Sequence, residues 1–102
     1  MLIQKGYGAG DIVCFKLSTG DEIVAKIVSA DADGYTVNRP CTVIPSQQGL
    51  GLMQSLISAD INNNVELKKI HVIMHGPVIK DIENHYIRTT TGIESAGKGI
   101  IT

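Results

Sequence analysis

Three histidines, two cysteines and ten acidic side chains are the residues of this 102-residue chain whose chemistry suits catalysis or metal binding. His71 and His75 stand four apart, the spacing at which one helix holds a zinc ion between two imidazoles. The residues around them read as strand, however, and four strand steps separate the side chains by about 13 Å, too far for a shared ion. Cys14 and Cys41 lie inside apolar runs and add ligands only if the fold aligns them. The sequence therefore predicts no metal and no other cofactor. Ser, His and Asp are all present, but none sits in the strand–turn–helix elbow that activates a nucleophile. The opening Lys5-Gly6-Tyr7-Gly8-Ala9-Gly10-Asp11 lacks the preceding strand and following helix of a phosphate loop. The expectation is a protein that is not an enzyme.

Two loops carry residues suited to binding instead. The first offers Asp33 and Tyr35, with Asn38 and Arg39 on the strand that follows. The second offers Asn62, Asn63 and Asn64, with Lys68 and Lys69 just beyond. An Asn amide can pair with a base edge, and a cation can neutralise a phosphate. An aromatic ring can stack a base, worth about 1–3 kcal/mol whatever the sequence. Each residue also has a plain structural role. A Tyr after Asp-Gly is commonly a core aromatic, an Asn run forms turns, and an edge Lys discourages aggregation. Lys68 and Lys69 are adjacent, so on a strand only one of them can face a given ligand.

The composition narrows the scaffold that must position these groups. With only four aromatics (Tyr7, Phe15, Tyr35 and Tyr86), the core has to be built from Ile, Val and Leu, a bias that favours strands. The length suits one domain. A formal net charge of −1 excludes a polycation that coats nucleic acid indiscriminately. Two cysteines in apolar runs read as buried free thiols, which points to a reducing compartment, the cytoplasm. The segment MLIQKGYGAG has no long apolar run, and no stretch has the apolar length of a bilayer span, so neither secretion nor membrane insertion is expected.

Along the chain, residues 1–10 read as a polar lead-in and Ile12–Leu17 as a strand ending in the turn Ser18–Asp21. From Glu22 to Ser29, Ile23, Ala25 and Ile27 alternate with Glu22, Val24, Lys26 and Val28, the pattern of a half-buried strand. Asp31–Gly34 is a hairpin turn into a third strand, Tyr35 to Ile44, which Pro40 bends. A fourth strand spans Leu50–Ser58, a polar turn Asp60–Asn64, and a fifth strand Val65–Met74. Pro77 suits a first helical position, Val78, Ile79, Ile82 and Tyr86 recur at helical spacing, and Gly92 suits a stop, predicting a helix over 77–91 with residues 94–102 fraying beyond it. Five short strands in so small a chain favour a strongly bent antiparallel sheet that closes on itself. The fold class expected is all-β: a five-stranded barrel with a short C-terminal helix.

Leu17-Ser18-Thr19-Gly20, then Ile23, Val24 and Ile27, then Asp31, follow the order of the first motif of the Sm-like family, ring-forming RNA-binding barrels. Residues 12–74 resemble that layout. Gly34-Tyr35 stands where the family has Met-Asn, and for the second motif, an Arg-Gly or Lys-His pair between the last two strands, strand order selects Asp60–Asn64 over Met74–Pro77. The resemblance implies a single Sm-like, SH3-like barrel that assembles as a homo-oligomeric ring and binds single-stranded nucleic acid, RNA before DNA, through Asp33, Tyr35, Asn38, Arg39, Asn62, Asn63, Asn64 and Lys68. The alternative is a protein-interaction or assembly module that docks through its barrel edges and terminal helix. The later stretch, with its Gly-rich fourth strand and a Tyr-containing terminal segment ending in Thr91-Gly92-Ile93, is also similar to small proteins of tailed cyanobacterial phages, which would place the chain in the host-cell cytoplasm.

Overall fold

Val13 and Phe15 alternate with Ile12, Cys14 and Lys16, and the resulting two-faced segment is β1 (Ile12–Leu17). A tight turn with Gly20 at φ +97°, closed by the Leu17 N–H on the Asp21 carbonyl at 2.8 Å, returns the chain into β2 (Glu22–Ala30). In the computed structural model, which describes residues 7–60 and 62–99 with side chains as far as Thr90, four more strands follow. These are β3 (Gly34–Ser46), β4 (Gly49–Gln54), β5 (Val65–Lys68) and β6 (Val72–Pro77). A 3-10 turn, Lys69–His71, separates β5 from β6, and the chain ends in the helix α1 (Lys80–Gly99).

All pairings are antiparallel. β1 lies between β2 and β6, and β2 lies between β1 and β3. The long β3 has two partners on its far edge: β5 along Gly34–Val37 and β4 along Cys41–Ser46. The path β5-β3-β2-β1-β6 thus begins and ends on strands joined by a three-residue turn, which curls the sheet into a small barrel-like form.

Apolar residues fill both faces of β2. Ile23, Ala25 and Ile27 join Val13, Phe15, Tyr35 and Val37 inside the barrel. Val24 points the other way, where it meets Cys41 and the Tyr86 ring of α1, flanked by Val78 and Ile82. Ile82, Tyr86 and Thr90 recur every four residues on α1, so one stripe of the helix, with Val78 just before it, covers the outer face of the sheet.

A bulge fixes where β3 bends. Val24 pairs with Cys41 but Lys26 pairs with Asn38, so two steps on β2 face three on β3. Arg39 takes up the extra residue at φ +50°. The Tyr86 hydroxyl serves the bulge: it donates to the carbonyls of Asn38 (2.8 Å) and Arg39 (3.0 Å) and accepts the Lys26 N–H (3.2 Å). One side chain from the helix stands in for the ladder bonds that the bulge disrupts.

Three expectations need correction. Val65–Met74 is not one strand: Lys69 N–H bonds the Asp33 carbonyl at 2.9 Å and Ser18 N–H bonds the His71 carbonyl at 2.8 Å, and these contacts hold a 3-10 turn between β5 and β6. Pro77 does not start the helix but ends β6, opposite Val13, on a strand with no partner on its other edge among the described residues. The helix is therefore 80–99 rather than 77–91, and it runs through Gly92 and most of the segment expected to fray. A single helical Gly costs only about 1 kcal/mol, which neighbouring turns can absorb.

Both cysteines are free thiols on the outer face of the sheet. Cys14 pairs with Val24, which pairs with Cys41, so a whole strand separates the two. No helix among the described residues is long and apolar enough to cross a membrane.

Candidate nucleic-acid interface

The β2–β3 turn is built by Asp31. Its Oδ1 accepts the N–H groups of Asp33 (2.8 Å) and Gly34 (2.9 Å), an Asx turn, and those bonds hold its carboxyl below the usual range. Gly34 pairs with Lys68 so closely that a Cβ would run into the Leu67 carbonyl, so only glycine lets the strands approach here. The Lys69 N–H on the Asp33 carbonyl then ties this turn to the 3-10 turn. Asp33, Tyr35 and Lys68 consequently share one rim of the barrel, around a shallow polar pocket of about 140 Å³ that Asp31 and Glu66 also line.

Tyr35 is only 9 % exposed. Its ring packs 5.1 Å from that of Phe15, and Lys69 Nζ lies 5.2 Å from its centroid, a cation–π contact. The ring is thus part of the core wall and offers no open stacking face. Lys68 pairs with Glu66 at 3.2 Å, an exposed contact that a stronger anion can displace.

The other expected residues gather at the far end of β5. Asn38 Nδ2 donates to Asn64 Oδ1 at 3.3 Å. Asn62 N–H and Asn63 Nδ2 both bond the Asp60 carboxylate, at 2.9 and 3.1 Å, so these residues knit the turn. Arg39 and Asn63 line a small, mostly apolar pocket of about 20 Å³, room for a single water. The eight residues therefore form two groups: Asp33, Tyr35 and Lys68 by Gly34, and Asn38, Arg39 and Asn62–Asn64 beyond Val37.

Splitting the fifth strand also changes which turn lies between the last two strands. It is Lys69-Ile70-His71, not Asp60–Asn64. Strand counting placed it wrongly because the Lys68–His71 segment carries no Gly, Pro or Asn to mark a break. His75 is a further residue that periodicity does not single out. It pairs with Phe15, and its ring lies 5.2 Å from Tyr7 and 6.2 Å from both Phe15 and Tyr35, binding the Tyr7 segment to the barrel.

His71 and His75 lie on the 3-10 turn and on β6, and no cluster of three metal-ligating side chains exists among the described residues. Three strands, β4, β5 and β6, have a partner on one side only among the described residues, and β4 and β6 carry exposed apolar side chains: Leu50 and Met53 on β4, Ile73 and Met74 on β6. No protein-family model matches the chain, and no curated protein does so either.

Proposed function

We propose that this chain is a non-catalytic binding module that works as a homo-oligomer and takes single-stranded nucleic acid, RNA before DNA, at the rim where the β2–β3 turn meets the 3-10 turn. The observation that carries this reading is the Lys69–Asp33 backbone bond, which sets two consecutive lysines beside a fixed turn. Lys69 is the cation for phosphate, and Lys68 joins it by exchanging Glu66 for the ligand. Asp33 repels phosphate but accepts a ribose 2′-hydroxyl, which favours RNA. One copy offers few cations, so affinity comes from repeating the rim around an assembly. The exposed apolar edges of β4 and β6 are the surfaces through which copies join, since such edges readily pair with another chain. The Lys69-Ile70-His71 turn also supports the Sm-like layout, whose second motif lies between the last two strands.

A second reading, assembly without nucleic acid, is favoured by the carboxylates of Asp31 and Glu66 on the same rim. Fluorescence anisotropy with short oligo-U, oligo-A and the corresponding DNA separates the two. Binding at low salt that weakens steeply as salt rises supports the first reading. No binding at low salt leaves only the second.

A further inference from the structure

Ile70 is 84 % exposed, the most exposed of the large apolar side chains among the described residues. It stands at the centre of the 3-10 turn, and backbone bonds from Lys69 to Asp33 and from Ser18 to His71 pin the turn on both sides. Its position is therefore preset and needs no further ordering to bind. Lys69 precedes it and His71 follows it. An apolar knob beside a cation matches a ligand with apolar flat faces on an anionic backbone. Tyr35 cannot supply that apolar contact, because its ring lies in the core wall under Lys69.

We propose that Ile70 is the residue that packs against the bases, wedging against or between them while Lys69 holds the adjacent phosphate. Apolar wedges of this kind act elsewhere against base steps. The inference rests on the nucleic-acid reading above and adds to it the contact that senses bases rather than backbone.

The test compares wild type and Ile70→Ser on oligo-U and on an abasic oligonucleotide of the same length, at low salt. Ile70→Ser should weaken oligo-U binding about tenfold and leave abasic binding unchanged, with the melting temperature unmoved because Ile70 touches little of the core. Lys69→Ala should weaken both ligands alike. A 2-aminopurine probe in the oligonucleotide should lose its binding-induced fluorescence change in Ile70→Ser. Equal oligo-U affinity for wild type and Ile70→Ser overturns the wedge and leaves the rim proposal standing. Absence of oligo-U binding by wild type overturns both. A fall in oligomer mass in Ile70→Ser with unchanged oligo-U affinity per chain assigns Ile70 to contact between copies and also overturns the wedge.

Discussion

Replacing Tyr86 by Phe removes one oxygen and tests how the helix and the bent strand depend on each other. The ring of Tyr86, 3 % exposed, keeps its packing against Val24 and Cys41. What disappears is the donor to the Asn38 and Arg39 carbonyls and the acceptor for the Lys26 N–H. Leaving these part-buried backbone groups without a partner costs about 1–3 kcal/mol in total, a large share of a domain's net stability of about 5–15 kcal/mol. For a domain of this size that corresponds to a melting point lower by about 5–20 °C. The local signature is faster hydrogen exchange at the Lys26 amide, ahead of the β1–β2 amides. The same hydroxyl gives a pH signature. Burial pushes the Tyr86 pKa up to about 12 in the fold. The neutral phenol is favoured by folding, so its stabilisation is complete below pH 10 and is lost as pH rises from about 10 through 12. Thermal denaturation of wild type and Tyr86→Phe between pH 8 and 11 measures both effects. A melting point for Tyr86→Phe within 2 °C or so of wild type at pH 8, with Lys26 exchange unchanged, refutes the reasoning.

Gly34→Ala should prevent close pairing of β3 with β5, since the added Cβ meets the Leu67 carbonyl; circular dichroism and solubility should show a cooperative fold lost or severely weakened. Asp31 should stabilise the fold above its unfolded pKa of 3.8 and lose that contribution as pH falls through its lower folded value. Asp31→Ala should remove this acid-side dependence in melting curves taken between pH 2 and 5 or so. Burial raises the thiol pKa of both Cys14 and Cys41, so iodoacetamide near pH 8 should label them slowly in the native protein and quickly in denaturant. Mild oxidation should yield no Cys14–Cys41 bridge within one chain, because Val24 lies between them in the sheet.

The first three strands were legible because local chemistry and tertiary structure agree there. Alternation ran clear from Ile12 to Ser29, and Ser18–Asp21 and Asp31–Gly34 hold the residues that tight turns demand. The bend at Pro40 was legible as well, since a proline cannot continue the ladder. The Lys69–His71 turn was not, because Asp33 and Ser18, distant in sequence, impose it on a segment whose own composition reads as strand. Gly92 misled for a related reason: glycine permits a helix to stop but does not require it. Residue type singles out Asp33, Tyr35 and Lys68, and the fold brings them to one rim, yet residue type could not say that the Tyr35 face is closed. It also could not say that Asn62 and Asn63 spend hydrogen bonds on Asp60. The Tyr86 hydroxyl reaches Lys26 across 60 residues of chain, a contact that no local pattern announces.

The most direct test of the account is sedimentation velocity of the purified 10.9 kDa chain mixed with labelled oligo-U at low salt. The account predicts that the label travels with a species several chains in mass. It further predicts that raising the salt releases the label before the assembly dissociates, and that Lys69→Ala releases it without changing that mass. A label that sediments freely at low salt, beside protein of any mass, contradicts it.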